Sequence, residues 1–194
     1  MADGAVLEKP VENSRNFTYA DYKNWNPGEG RYELIYGTAY AMAGPNTSHQ
    51  TILMELAKQL ALFLTGKPCR VLPAPYDVRL FYAEDESDDT VVQPDIIVVC
   101  NREKLGKEGC RGAPDFVVEI LSPSNTAIEM QRKFKLYRQA GVREYWVLDP
   151  ESKTLHTHLF EDGRITSRFY GAGERASVEV LPGLEIALGP VFTE

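Results

Sequence analysis

The chain has 194 residues, 43% hydrophobic and 25% charged, with a net charge of −7, which is ordinary for one globular domain that buries a core without staples. No apolar run is long enough to span a bilayer, and the opening MADGAVLEKPVEN lacks the basic and apolar blocks of a signal peptide; the expectation is a cytoplasmic protein with no membrane association. The acidic balance argues against a generally adhesive nucleic-acid binder. Cys69, Cys100 and Cys110 are odd in number and have no CxxC spacing, so reduced thiols are expected, not a disulfide framework or a zinc site.

Residues 1–16 read as a flexible leader and residues 17–194 as one domain. Thr18 is placed to cap a short helix, TYADYKNW, that stops at Asn26-Pro27-Gly28, a helix breaker. RYELIYGTAYAMAG alternates through two short strands around Gly37, the period of a hairpin. A long amphipathic helix follows, with Ser48 as its expected cap and Ile52, Leu53, Leu56, Leu60, Phe63 and Leu64 as its apolar stripe. CRVLPAPYDVRLF supplies one or two strands, its prolines placing the first towards an edge. YAEDESDDT is read as a solvated hairpin loop, because its acids lack the spacing of a calcium loop.

DIIVVC and DFVVEIL are the two central strands. A helix is predicted from Thr126 to Ala140, closed by Gly141, the residue type that most readily takes a left-handed C-terminal turn. EYWVLD is a further strand, and the tail from Lys153 reads as hairpin strands turning at Asp162-Gly163 and Gly171-Ala172-Gly173. The architecture is mixed α/β, with helices packed on one central sheet.

Within DFVVEIL, Glu119 is out of place. Phe116, Val117, Val118, Ile120 and Leu121 describe a strand buried on both faces, where an ionised carboxylate costs several kcal/mol unless something positive meets it. Residues 101–143 hold nine basic and five acidic side chains, so this segment is +4 and the remainder −11. If the two central strands pair antiparallel with Val99 against Asp115, Asp95 falls opposite Glu119 on the same face. Two carboxylates so close repel unless one is protonated or a cation bridges them. A hard, oxygen-preferring ion such as Mg²⁺ or Mn²⁺ fits that need.

Pro94-Asp95, with an acid 24 residues later on the neighbouring strand, resembles the PD-(D/E)XK nuclease superfamily. The ordered strings YELIYG, SHQ, QPDIIVV, VVEILSPSN and KFKLYRQAGVREYWVLDP are similar to the Uma2 family, and the likeness covers residues 17–190. That resemblance implies a restriction-endonuclease-like α/β (α+β) core: a central mixed sheet flanked by helices, with added N- and C-terminal hairpins. It further implies a metal-dependent endonuclease acting on DNA, assembled as a homodimer. On the same basis Asp95 and Glu119 are metal ligands, the Ile120 backbone carbonyl is the third, and Glu33 stands near the metal through water. His49 matches a histidine position of the family, although capping or packing is an equal reading for it. The superfamily pattern expects lysine two residues after the glutamate, where this chain has Leu121.

The helix after Glu119 offers a replacement. At about 100° per residue, Met130, Phe134, Leu136, Tyr137 and Ala140 share one arc with Lys133 near its middle, while Lys135 points away with Gln131 and Arg138. An ammonium on an apolar face needs a partner or must snorkel to water. The sharper expectation is that Lys133 reaches the Asp95–Glu119 site, and the family resemblance also favours this lysine. His156 and His158, without companion ligands, read as surface residues, and Ser122 and Ser124 as helix-capping groups. No phosphate-binding loop or dinucleotide fingerprint occurs. Two readings follow: a metal-dependent phosphodiesterase, or a non-catalytic nucleic-acid or protein interaction module on the same fold.

Overall fold

A computed structural model of the chain describes residues 16–25, 30–123 and 125–193. The expected leader, apart from Asn16, and Ser124 lie outside them. Helix α1 (Tyr19–Tyr22) precedes the hairpin β1 (Tyr32–Ile35) and β2 (Thr38–Ala41), the long helix α2 (Thr47–Leu64) and β3 (Arg70–Pro73). Then come β4 (Val78–Arg79), β5 (Val91–Val92), β6 (Ile96–Val99), β7 (Leu105–Gly106), β8 (Gly109–Arg111) and β9 (Phe116–Ile120). Helix α3 (Ala127–Ala140) leads to β10 (Glu144–Asp149), β11 (Thr154–Glu161), β12 (Arg164–Gly171), β13 (Arg175–Ser177), β14 (Glu185–Ala187) and α4 (Leu188–Val191).

Two six-stranded mixed sheets form where the sequence predicts one. Their orders are β2-β1-β5-β4-β8-β7 and β12-β11-β10-β9-β6-β3. The reason lies in the prolines. β3 pairs antiparallel with β6, and β4 with β5, so residues 70–79 and 91–99 are two arms of one ribbon. Ala74-Pro75 interrupts one arm and Pro94 the other; proline has no N–H for the ladder, and the ribbon leaves one sheet for the other at that level. Pro94-Asp95 therefore sits at the junction of the two sheets.

In the second sheet β9 pairs parallel with β10 and antiparallel with β6. Strand alternation divides its side chains between two cores. Phe116, Val118, Ile120, Ile96 and Val98 pack with Leu53, Leu56 and Leu60 of α2. Val117, Ile97, Val99, Tyr145 and Val147 pack with Leu136 and Tyr137 of α3, and with Ile35, Val78 and Val92 of the first sheet. Glu119 shares the face of Val117, so it points towards α3 and the first sheet.

Four local expectations are corrected. Asn46, not Ser48, caps α2, its side chain accepting the His49 N–H at 2.9 Å. Asp88, expected in a solvated loop, is buried, its carboxylate held by the Arg79 guanidinium. β13 pairs with β14 and not with β12. Cys69 and Cys100 form a disulfide, contrary to the expectation of reduced thiols. Pairing of Arg70 with Val99 sets these cysteines opposite each other one step further along, with their Cα atoms 3.9 Å apart; Cys110 is free and buried. Among the described residues no helix is long and apolar enough to cross a membrane.

Candidate active site

The β6–β9 ladder pairs Ile96 with Val118 and Val98 with Phe116. One step beyond Ile96 that register sets Asp95 opposite Glu119, as the sequence predicts. Asp95 is fixed by a 2.7 Å hydrogen bond from the Ile120 N–H to its Oδ2. His49, in the first turn of α2, lies with Nε2 3.2 Å from Asp95 Oδ1. Its ring is buried, and Nδ1 has no hydrogen-bond partner among the described residues. The side chain is thus part of the site, while Asn46 does the capping.

Helix α3 runs between its Thr126 cap and the left-handed Gly141, so Lys133 lands on the buried face and Lys135 on the exposed one. Lys133 Nζ is 3.0 Å from Glu119 Oε1 and 3.2 Å from Glu33 Oε2. It joins an acid of the first sheet to an acid of the second. The Tyr137 hydroxyl, one turn on, also donates to Glu119 Oε1. Tyr137 had counted only as an apolar residue of the arc; its polar role was missed.

Glu33 is held from behind by the Gln93 N–H, 3.0 Å from Oε1. Gln93 is the other residue missed, although it directly precedes Pro94-Asp95 in the QPD string. Its side-chain oxygen accepts from Arg31, and its amide nitrogen donates to Asp77 at 2.7 Å. Ile120 lines the cleft, as do Arg31, Glu33, His49, Gln93, Asp95, Glu119 and Lys133, around about 320 Å³. His156 and His158 lie elsewhere, on β11, against Phe169 and Phe134 respectively.

Three carboxylates here face one ammonium. Burial pushes Glu119 up to about 8 despite the pull of Lys133, and the charges of Asp95 and Glu33 add to the rise. Burial alone lowers a lysine, but the carboxylates of Glu119 and Glu33 hold Lys133 well above its usual value. Lys133 is therefore a permanent cation and no general base near neutral pH. The cluster is short of positive charge, which a proton on Glu119 or a bound cation supplies. Among the described residues no three His, Cys, Asp or Glu side chains form a ready metal cage. The protein donors here, the Asp95 and Glu119 carboxylates with the Ile120 backbone, match an ion that completes its shell with several waters, such as Mg²⁺. In that sense the residues fit the group.

The Uma2 family, described as "Putative restriction endonuclease", matches residues 19–189. A Synechocystis sp. protein without assigned function is 24% identical over 175 residues, 89% of each chain. The crystal structure of "a putative nuclease belonging to DUF820" from Anabaena variabilis superposes with a TM-score of 0.71 at 18% identity, covering 91% of this chain and 97% of that one. That likeness carries the fold, which is restriction-endonuclease-like.

Proposed function

The chain belongs to the Uma2 family, and from that premise we propose that it is a Mg²⁺- or Mn²⁺-dependent endonuclease hydrolysing phosphodiester bonds in DNA. The observation that carries this reading is Lys133 bridging the buried carboxylates of Glu33 and Glu119, with Asp95 set opposite Glu119 in the same cleft. Asp95, Glu119 and the Ile120 carbonyl would hold the ion, with Glu33 bound through water. When bound, such an ion polarises a phosphoryl oxygen and lowers the pKa of an attacking water.

The protein's own groups account for the rest. The Ile120 N–H and the His49 ring hold Asp95 in one orientation before substrate arrives, which limits reorganisation during reaction. Lys133, charged throughout, stabilises negative charge growing on the phosphorane-like oxygens. It supplies the cation that the pattern expects at Leu121, which weakens the case for a non-catalytic module. Tyr137 keeps Glu119 Oε1 occupied, leaving Oε2 for the cleft.

The reading includes a homodimer, because cutting both strands of a duplex takes two sites or two visits, and twofold assembly is the commonest kind. It also places the protein in the cytoplasm with DNA. The test is cleavage of supercoiled and single-stranded DNA with Mg²⁺ or Mn²⁺ beside an Asp95→Ala control. Metal-dependent cutting by the wild type alone is expected; equal activity of the control would show a contaminant.

A further inference from the structure

The catalytic cleft does not end at Arg31. Arg31 and Gln93 form a wall shared with a second cavity of about 250 Å³, lined also by Tyr22, Trp25, Tyr32 and Asp77. Three features of this side pocket suit it to a ligand.

First, Arg31 is half-buried, and its Nε and Nη2 both donate to one neutral oxygen, Gln93 Oε1, at 3.0 and 2.6 Å. Among the described residues it makes no ion pair. Asp77, the acid that shares its pocket, is engaged by the Tyr22 hydroxyl and the Gln93 amide. The direct hydrogen-bond partner of Arg31 is the neutral Gln93 oxygen, with the Asp77 carboxylate acting on it only through space, so the guanidinium fork retains donors for a phosphate.

Second, the walls are aromatic. Trp25 lies 5.2 Å from the Tyr22 ring and 5.7 Å from the Tyr32 ring, and it is only half-buried. Such faces hold bases by stacking, largely irrespective of their identity. Third, the floor is polar: Asp77 accepts from Tyr22 and Gln93 through one oxygen, Oδ1, and a carboxylate in that position can accept further from a base edge.

We propose that this side pocket is a nucleotide subsite, in which Arg31 binds a phosphate next to the scissile one and the attached base stacks on Trp25. It rests on the nuclease reading above and narrows it. A base can enter the pocket only when it is out of a duplex stack, so the substrate presents a single-stranded or unpaired nucleotide beside the cut. Gln93 joins the two functions: its N–H orients Glu33 and its side chain aims Arg31.

The chain has two tryptophans; Trp146 is fully buried in the core, so base stacking on Trp25 is readable as fluorescence quenching. Short single-stranded DNA, the matching RNA and a blunt duplex are titrated in EDTA, so that binding is read without turnover. Single strands are expected to quench and to bind about tenfold more tightly than the duplex. Trp25→Phe removes the quench. Arg31→Ala weakens binding about tenfold and lowers the salt slope by about one, while Arg31→Lys, which keeps the charge, loses less. Tighter binding of RNA than DNA would support the subsite and reassign the polymer. Quenching that survives Trp25→Phe, or binding and salt slope unchanged in Arg31→Ala, would overturn the subsite while metal-dependent cleavage still upheld the nuclease. Absence of both nucleic-acid binding and cleavage would overturn the two together.

Discussion

Lys133 and Glu119 show how one buried pair sets the chemistry of its surroundings. Breaking such a pair leaves a charge unpartnered in the interior, so Lys133→Ala should lower apo stability by about 3 kcal/mol, measured by denaturant melts. Glu119 yields a pH dependence of definite sign. Its folded pKa of about 8 lies above the unfolded value of roughly 4.3. Between those limits the folded state keeps a proton that the unfolded state has lost, and this contribution to stability declines as pH rises through the window. A cation must displace the same proton. Mn²⁺ affinity is therefore expected to rise from pH 6 to pH 8, with proton uptake by buffer detectable in calorimetry, and Asp95→Asn or Glu119→Gln should weaken it sharply. Affinity that is flat across that range, or equal in both variants, would contradict the assignment. Saturating Mn²⁺ should in turn raise the melting temperature, since it binds only the folded state.

Elements long enough to show a period were legible in the sequence. The fourteen residues of α3 place Lys133 on the apolar arc by spacing alone, and setting Val99 against Asp115 in the two apolar strands puts Asp95 opposite Glu119. Beyond the β1–β2 hairpin the first sheet was not legible, because β4, β5 and β7 have two residues and β8 three, too few to display alternation. Cys69 and Cys100 escaped for a related reason: their meeting depends on the register of edge strand β3, which no local pattern specifies. The Arg31–Gln93 contact joins residues 62 positions apart through side chains, beyond any periodicity argument. β10 carries a further strut. Buried Glu144 accepts from Trp146 Nε1 at 2.7 Å and from the Val180 N–H at 2.9 Å, tying the C-terminal segment to the central sheet. Glu144→Ala orphans both donors and should cost about 2–4 kcal/mol; a denaturation midpoint unchanged from wild type would show that the strut carries no load.

At the scale of the whole molecule, two sheets meet where prolines interrupt a shared ribbon, and the acids of the site come one from each side of that seam. Glu33 belongs to the first sheet, Asp95 to the junction and Glu119 to the second, with α3 closing them through Lys133. A site built across a seam depends on the fold as a unit, which explains why its parts lie 100 residues apart between Glu33 and Lys133. The expected homodimer is checked by light scattering, where a mass of twice the chain is predicted and a monomer at working concentration would refute it. We propose Lys133 in the role of the lysine absent at Leu121. The most direct measurement is the rate of plasmid cleavage in Mn²⁺ by wild type, Lys133→Ala and Lys135→Ala, at a temperature where all three are folded. Lys133→Ala should bind Mn²⁺ but fail to cut, and Lys135→Ala should cut at nearly the wild-type rate. Cleavage by Lys133→Ala as fast as wild type would contradict the account.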